Sequence, residues 1–368
     1  MRVALVHDKL LELGGSERVV QAMQRIWPQA PLHVAVADPA VVAEGGFTNV
    51  RPSALDRFPG GLARRRWSVP LHAAAFATVR PREVDVVISS SSFSAKDVRV
   101  PKGIAHLCYC YTPARYLWGD PDHLEGRTGP APVAALVGLG LPLLRRVDRR
   151  AAARVDEFVA ISGFVAAQIG LHWGRAATVV APPVDLAPFA TRVPTGDHVV
   201  TLARLLPYKR IDAAIAAAEE VGVPLVVIGD GPDRARLEAL AGPTVRFAGR
   251  VDDAEKARLL GSARALLAPQ VEDFGIATVE ALAAGVPVVA PRAGGVLDIV
   301  RDGETGALYD PTDPAGPNGA LARVLAEPPD RATLVASAQR FAEPRFAAEL
   351  VAVVEALVQR HRDAEGPG

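Results

Sequence analysis

Short apolar runs rich in β-branched residues recur along the chain, and each is followed by a turn and a longer amphipathic segment. In the first half these runs cover residues 2–7, 32–38, 84–92, 104–111, 156–161 and 178–181. In the second half they cover residues 198–205, 224–231, 245–251, 264–270, 286–290 and 307–311. Short apolar runs that alternate with helical patterns are typical of parallel sheets covered by helices on both faces. The pattern therefore predicts an α/β fold built from doubly wound, Rossmann-like domains.

Prolines are concentrated near the middle of the chain, at Pro182, Pro183, Pro188 and Pro194. Such a stretch is typical of an interdomain linker. We therefore expect a first domain over residues 1–190 and a second over residues 191–345. The amphipathic tail, residues 346–368, is expected to dock back on the first domain. A ligand cleft is expected where the two domains face each other.

Composition narrows the possible classes of function. The 368 residues are 49% hydrophobic and 22% charged, which is typical of a globular protein. Net charge is zero, so bulk charge does not favour a nucleic-acid partner. The two cysteines, Cys108 and Cys110, alternate within an apolar run and fit a buried strand better than a metal site. The chain starts directly with a strand pattern and has no apolar run of membrane-spanning length, so a cytoplasmic protein is expected.

The first 150 residues are basic, with 20 Lys and Arg against 13 Asp and Glu. Within them, the apolar residues 131–144 are followed by the basic sequence RRVDRR. An apolar face with a basic flank fits peripheral contact with an anionic membrane or a lipid-linked substrate. A buried helix with a cationic exposed end is the alternative, and the sequence leaves both open.

A glycine pair follows the first apolar run. Gly14 and Gly15 mark a turn, Ser16 is a candidate helix cap, and Glu17 would lie in the first helical turn. Strand, glycine turn and helix begin many doubly wound domains, and the helix N-terminus there can bind a phosphate. A glycine pair by itself is a weak indication, because most such pairs form ordinary turns.

The most informative stretch is residues 271–295, VEDFGIATVEALAAGVPVVAPRAGG. Glu272 and Glu280 flank a turn at Gly275 that precedes a predicted helix. The helix N-terminus favours an anion, and the two carboxylates can accept hydrogen bonds from hydroxyl groups on either side of it. This layout suits a nucleotide sugar. The alternatives are an acidic residue near a helix start for Glu280 and a solvated loop pair for Glu272 and Asp273.

Several segments together resemble retaining glycosyltransferases of the GT-B fold, family 4, over nearly the whole chain. They are VHDKLLELGGSERV, ISSSSFSAKDV, HLCYCYTPARYLW, VAISGFVA, ARLLPYKRID, VVIGDGP, FAGRVDD and the stretch from Glu272 to Gly295. The CYCYTPARY and PYKRID segments are most similar to bacterial GDP-mannose-dependent mannosyltransferases that build surface polysaccharides. The resemblance implies two Rossmann-like domains that face each other across a cleft.

The resemblance also implies roles for individual residues. Glu272 would contact hydroxyls of the transferred sugar, and Glu280 would bind the donor ribose. The basic pair Arg204 and Lys209 would neutralise the diphosphate. The remaining donor contacts would be the amides of Phe274, Gly275 and Ile276, the glycine turn of Gly14 and Gly15, and the base-side loop at Arg250 and Val251.

One position departs from the family pattern. Most relatives carry histidine where this chain has Tyr111, close to the reacting carbon. A phenol can donate a hydrogen bond, but it is not a base at neutral pH. We therefore expect Tyr111 to take part in the reaction in a way that differs from the usual histidine. A smaller departure is Asp298, where glutamate is usual.

The resemblance implies retention of anomeric configuration by same-face substitution, in which Glu272 orients the sugar and does not attack it. It implies a nucleotide-sugar donor, with no metal and no further cofactor, and a glycan or lipid-linked acceptor. The basic surplus and the segment after residue 130 favour the inner face of the membrane as the place of such an acceptor. The alternatives are a UDP-sugar donor, a sugar-nucleotide epimerase, and a non-catalytic protein that binds nucleotide sugars.

Overall fold

The structure is a computed structural model, and it describes residues 1–57, 69–119, 131–191 and 195–365. The chain forms two compact units. The first unit contains residues 1–183 together with those from 344 onward, and the second contains residues 184–343. Residues 192–194 of the predicted linker and 366–368 of the predicted tail lie outside the described residues.

The described residues form thirteen strands and thirteen α-helices. The strands are β1 Val3–His7, β2 Leu32–Val34, β3 Val50–Pro52, β4 Val86–Ser91, β5 Ala105–Cys110, β6 Glu157–Ala160, β7 Thr178–Val179, β8 Val199–Leu202, β9 Leu225–Ile228, β10 Val245–Gly249, β11 Leu266–Leu267, β12 Val288–Pro291 and β13 Gly306–Tyr309. The helices are α1 Gly15–Ile26, α2 Pro39–Glu44, α3 Val69–Phe76, α4 Arg115–Trp118, α5 Ala131–Ala152, α6 Gly163–Trp173, α7 Ile211–Val221, α8 Arg234–Leu240, α9 Asp253–Gly261, α10 Ile276–Ala283, α11 Gly316–Ala326, α12 Arg331–Ala338 and α13 Glu343–Glu365.

The sheet of the first unit has the order β3-β2-β1-β4-β5-β6-β7, and its neighbouring strands pair in parallel. Strand order therefore runs outward in one direction from β1 and in the other from β4. The register sets His7 beside Ser90, so the two strands end at the same edge. The loops after β1 and β4 diverge at this reversal point, where open α/β sheets form a crevice.

The sheet of the second unit follows the same rule. Its order is β10-β9-β8-β11-β12-β13, again with parallel neighbours. The reversal point lies between β8 and β11, so the loops that follow residues 202 and 267 flank the crevice. Its core is formed by buried aliphatic side chains, among them Val199, Ile215, Leu225 and Val289. Two parallel, Rossmann-like units are the architecture that the apolar runs predict.

The C-terminal helix α13 belongs to the first unit. Phe346 is 2% exposed and packs edge-on against Tyr109 of β5, with the ring centroids 5.8 Å apart. Further along the helix, Arg360 donates a hydrogen bond to the Glu157 carboxylate at 2.8 Å. The tail predicted to dock on the first domain therefore contributes to that unit's core.

Capping residues explain where several helices begin. Asp252 accepts a hydrogen bond from the backbone N–H of Glu255 at 2.7 Å and so caps the start of α9. Ser162 caps α6 in the same way, through the N–H of Val165. The prediction that Ser16 caps α1 is wrong. The helix begins at Gly15, and the Glu17 carboxylate accepts the Gly14 N–H at 3.0 Å instead.

The aromatic cluster after β5 forms internal contacts. The Trp118 indole donates a hydrogen bond to Asp148 at 2.7 Å, and its ring stacks on His172. Trp173 donates to the same carboxylate, which also pairs with the buried Lys96. Trp118 is therefore packed by contacts within its own unit. Within the described residues, no helix is both long and apolar enough to cross a membrane.

Candidate functional site

The crevice of the second unit brings predicted site residues from two loops together. Arg204 and Lys209 lie in the loop that follows β8, and Glu272 lies in the loop that follows β11. Lys209 Nζ donates to Glu272 Oε1, across 63 residues of sequence. Both side chains are largely shielded from solvent, at 15% and 28% exposure. A close ion pair at the carboxyl edge of a parallel sheet marks this as a candidate ligand site.

Gln270 holds the same carboxylate from a second side. Its Nε2 donates to Glu272 Oε1 at 2.8 Å, and the residue is 8% exposed. Glu272 therefore has a defined orientation before any ligand binds. Gln270 could not be identified from the sequence, because a glutamine two residues before a glutamate belongs to no recognised motif.

Gly275 makes the turn between Glu272 and helix α10. Its φ is +108°, a conformation that favours glycine, and it occupies the position before the first helical residue, Ile276. The first-turn amides of α10 thus begin beside the loop that carries Glu272. Phe274 is 4% exposed and packs edge-on against Phe341, which leaves its backbone as the part that can face a ligand.

Glu280 lies one turn into α10 and is paired with a lysine. Lys256 Nζ donates to Glu280 Oε1 at 2.8 Å, and the two side chains are 15% and 8% exposed. Lys256 also approaches Asp253 at 3.1 Å. Lys256 could not be identified from the sequence, because a lysine on an amphipathic helix is usually exposed to solvent. Only the fold shows that it contacts α10.

Glycines hold both site loops close to their neighbours. A Cβ on Gly295 would lie 2.3 Å from the Asp273 carbonyl oxygen, and one on Gly294 would lie 2.6 Å from that of Glu272. A Cβ on Gly229 would lie 1.9 Å from the Ala203 carbonyl oxygen. The loop that carries Arg204 and the loop that carries Glu272 are therefore each packed against a glycine turn. The sequences VVIGDGP and PRAGG contain the signal for these contacts.

Two predicted cations of the second unit, Arg204 and Arg250, are exposed. Neither forms an ion pair or a side-chain hydrogen bond within the part of the chain that the structure describes. Val251 is partly buried beside Arg250, before helix α9. Next to Lys209, Arg210 has a φ of +52°, which a non-glycine residue adopts at a cost in free energy.

A small concavity lies at the centre of these loops. Gln270, Glu272, Gly275 and Thr278 are among the residues that line it. Apolar side chains line it as well, among them Leu202 and Leu266 of the two reversal-point strands. A mostly apolar lining with a few polar side chains is typical of a ligand site with few fixed polar contacts.

Tyr111 belongs to a hydrogen-bonded cluster at the start of α1, next to Gly14 and Gly15. The Tyr111 hydroxyl donates to the Ser16 carbonyl oxygen at 3.0 Å and bonds the Ser90 hydroxyl at 2.8 Å. Tyr111 is 8% exposed, and burial raises its pKa well above the usual range. The phenol therefore stays protonated at neutral pH and fastens the start of α1.

Glu17 and His7 complete that cluster. His7 Nδ1 lies 3.0 Å from the Ser90 hydroxyl, and its Nε2 lies 3.5 Å from Glu17 Oε1. Burial opposes ionisation of Glu17, but the hydrogen bond and charge of His7 outweigh it and lower the Glu17 pKa. His7 is thus a hydrogen-bonded structural residue.

Asp8 joins the two loops at the reversal point of the first sheet. Its carboxylate accepts hydrogen bonds from the backbone N–H groups of residues 92, 93, 94 and 95 at 2.5–3.2 Å. It is 2% exposed. Residues 92–95, which follow β4, are therefore held in a turn around Asp8. In the described residues, no group of three or more His, Cys, Asp or Glu side chains is arranged to hold a metal ion.

A parallel sheet of this order, with paired charges at its reversal point, defines the second unit as a Rossmann-type ligand-binding unit. Residues 188–341, which lie inside that unit, match the family model described as glycosyl transferases group 1. The match covers nearly the whole of the second unit.

Curated relatives match parts of the chain. The phosphatidyl-myo-inositol mannosyltransferase of Mycobacterium leprae is 45% identical over 108 residues, which is 28% of each chain. The GDP-mannose-dependent alpha-mannosyltransferase of Mycolicibacterium smegmatis is 32% identical over 202 residues, 54% of this chain and 48% of the relative. The chain thus spans half or less of these two relatives.

Solved structures match over nearly the whole chain. The Anabaena protein HepE, solved in complex with UDP-glucose, has a TM-score of 0.72 at 19% identity and covers 97% of this chain and 100% of its own. A likeness at this identity concerns the fold. It confirms the predicted fold class, an α/β chain of the GT-B type with two Rossmann-like units.

Proposed function

We propose that this protein is a retaining glycosyltransferase that moves a hexose, mannose from GDP-mannose, onto a glycan or glycolipid acceptor. The observation that carries the proposal is the cluster at the reversal point of the second sheet. There Glu272, held by Lys209 and Gln270, lies beside the Gly275 turn and the N-terminus of α10. The match of this unit to glycosyl transferases group 1 supports the same function.

The charges of the site suit a diphosphate leaving group. Negative charge grows on the nucleoside diphosphate as the glycosidic bond breaks, and fixed cations and amides lower the free energy of that state. Lys209 supplies a mobile point charge, while the exposed Arg204 can bind two phosphate oxygens at once. When Lys209 turns to the diphosphate, Glu272 is released to accept hydrogen bonds from sugar hydroxyls. The donor is the only small molecule that this scheme requires.

The donor base is tested by a screen. GDP-mannose is favoured because curated relatives are named as GDP-mannose-dependent mannosyltransferases, and UDP-glucose is the alternative because HepE was solved with it. Titration calorimetry with GDP and UDP, followed by nucleoside diphosphate release from GDP-mannose and UDP-glucose, distinguishes the two. Tighter binding of UDP, with turnover of UDP-glucose alone, would refute mannose transfer from GDP-mannose.

Glu272 is tested by substitution. We expect Glu272→Ala to lower kcat by about 100-fold or more, because the sugar loses its hydrogen-bonding carboxylate and Lys209 loses its partner. In the same-face substitution the leaving phosphate accepts the acceptor's proton, and Glu272 forms no bond to the sugar. Trapping of a glycosyl–Glu272 adduct by mass spectrometry would contradict that mechanism. Exposed Glu304, in the same unit, provides the control variant Glu304→Ala.

Helix α5 suggests contact with an anionic membrane at the cytoplasmic face. Its outer side exposes Leu143 and Val147, at 66% and 52%, beside the exposed Arg146 and Arg150. Apolar side chains can enter the headgroup region while arginines pair with lipid phosphates. We expect co-sedimentation with phosphatidylglycerol vesicles and not with phosphatidylcholine vesicles, and weaker binding by Arg146→Glu. Absence of binding to both would favour a soluble acceptor.

A further inference from the structure

Gln270 is a buried polar side chain in the wall of the concavity. It follows β11, is 8% exposed, and lines the same space as Glu272, Gly275 and Thr278. Apolar side chains, among them Leu202 and Leu266, line the same space, so its amide lies where unsatisfied polar atoms are costly.

The neighbouring carboxylate fixes how the Gln270 amide is oriented. Nε2 donates to Glu272 Oε1 at 2.8 Å. The reversed orientation would set the amide oxygen against the carboxylate oxygen, and two acceptors repel each other. The amide oxygen, Oε1, consequently points away from Glu272. It is fully buried and has no hydrogen-bond partner among the described residues.

A buried acceptor without a partner lowers the stability of the protein that contains it. A leucine of similar size would remove that cost, so the amide oxygen is expected to serve a bound molecule. Phosphate oxygens at neutral pH carry few protons to donate, which excludes the diphosphate as its natural partner. Hydroxyl groups can donate, and two neighbouring hydroxyls of one sugar ring match two adjacent acceptors.

We propose that Gln270 is a specificity-determining residue, whose Oε1 accepts a hydrogen bond from a hydroxyl of the transferred sugar beside the hydroxyl bound by Glu272. This inference rests on the proposed function. It assigns to Gln270 two tasks, since Nε2 orients Glu272 while Oε1 contacts the sugar. The site then distinguishes hexoses by whether a hydroxyl occupies the position that Oε1 faces.

The test compares wild type with Gln270→Leu, and uses exposed Gln339→Leu as the matched control. Calorimetry with GDP and UDP measures binding of the nucleotide alone. Initial rates with GDP-mannose, UDP-glucose and their monodeoxy analogues measure recognition of the sugar. We expect Gln270→Leu to bind the nucleotide as wild type does, with an unchanged or higher Tm. We also expect kcat/KM for the full donor to fall by about 10- to 100-fold.

The deoxy donors provide the decisive readout. In wild type, one monodeoxy analogue should be disfavoured relative to its parent, and in Gln270→Leu that preference should disappear. If both proteins show the same preferences and the same kcat/KM, the inference is overturned while the proposed function stands. If wild type binds neither GDP nor UDP, the proposed function fails and the inference fails with it.

Discussion

Both hydrogen bonds of the Tyr111 hydroxyl are made to other residues of the first unit. Its hydroxyl donates to the Ser16 carbonyl oxygen and accepts from Ser90, while His7 Nδ1 can donate in turn to the Ser90 hydroxyl. The phenol thus ties the start of α1, next to Gly14 and Gly15, to strand β4. A direct role of Tyr111 in the reaction remains a prediction. Its hydroxyl is already engaged in the described residues.

We expect Tyr111→Phe to lower the free energy of unfolding of the first unit by about 1–2 kcal/mol. The substitution leaves the Ser16 carbonyl oxygen and the Ser90 hydroxyl each short of a buried partner. Urea unfolding measures the change. Tyr111→His retains a donor and should preserve release of nucleoside diphosphate from the donor. Abolished turnover in Tyr111→His, together with unchanged stability in Tyr111→Phe, would instead indicate a dedicated substrate contact.

At the residue scale, site residues that belong to a local motif can be predicted from the sequence. Residues that reach the site only through tertiary contacts cannot. The juxtaposition of Glu272 with Lys209 follows from the family resemblance and the strand order. Lys256 and Gln270 stand in no motif, and their importance depends on what surrounds them in the fold. The difference is physical, because burial and pairing are set by tertiary contacts.

At the scale of elements, the loops at the reversal points are shaped by close approach of backbone to backbone. The Gly295 N–H donates to the Glu272 carbonyl oxygen at 2.8 Å, which draws the turn after β12 onto the loop that carries the carboxylate. A side chain at position 295 would occupy the space of Asp273 and Phe274. The position of Glu272 is therefore set in part by a turn that follows it by more than twenty residues.

We expect Gly295→Ala to displace the Glu272 loop. The added Cβ would lie 2.3 Å from the Asp273 carbonyl oxygen, so the backbone must move, at a cost of about 1–3 kcal/mol. Donor turnover should fall along with thermal stability. Gly319→Ala is the control, because its Cβ would meet nothing within 4 Å and lies within helix α11. That variant should be stabilised by about 0.5–1 kcal/mol. Equal behaviour of the two variants would contradict the role assigned to Gly295.

The apolar runs predict the long, fully buried strands well, and the short ones poorly. Strands β1, β4 and β5 are continuous buried runs, and each lies within its predicted range. Strand β3 and helix α2 were not predicted, since each is short and has no buried residue to produce a periodic pattern. Strand β11 extends over only two residues, although the apolar run around it is longer. Pairing partners, which a single sequence does not show, decide those limits.

At the scale of the molecule, the sheets of the two units reverse their strand order in the same way. The chain runs through the first unit into the second, and its C-terminal helix then belongs to the first unit again. Alternating strands and helices predict both units, and the amphipathic pattern of the tail predicts that it docks. The structure divides the chain at residues 183 and 344, whereas the proline-rich stretch suggested residue 190 and the amphipathic tail suggested residue 345. Composition shows that the prolines belong to a connection between the units. It does not show which of the residues around them pack against one unit or the other, and that packing sets the boundary.

Buried His106 predicts how stability depends on pH. Burial, together with the charges of nearby Arg154 and Lys96, lowers the pKa of His106 to about 3. In the unfolded chain the His106 imidazole binds a proton below about pH 6.5, whereas in the folded chain it stays neutral down to a much lower pH. The contribution of His106 to the free energy of unfolding is therefore fully present above that pH and is lost as the pH falls. We expect unfolding to cost about 2 kcal/mol less at pH 5 than at pH 7.5 on this account. Amide exchange of β4 and β5 measures the change. If the stability of His106→Gln falls with pH as steeply as that of wild type, the loss is caused by other groups.

Helix α13 provides a test of the division into units. Phe346 packs on Tyr109 in the core of the first unit, although it follows the second unit directly in sequence. We expect Phe346→Ala to destabilise the first unit by about 3–5 kcal/mol, since a buried aromatic side chain is replaced by a cavity. Exposed Glu355, on the same helix, provides the control Glu355→Ala. Hydrogen exchange should show lost protection in β5 and retained protection in β9. Equal loss in both strands would show that the two units unfold as one.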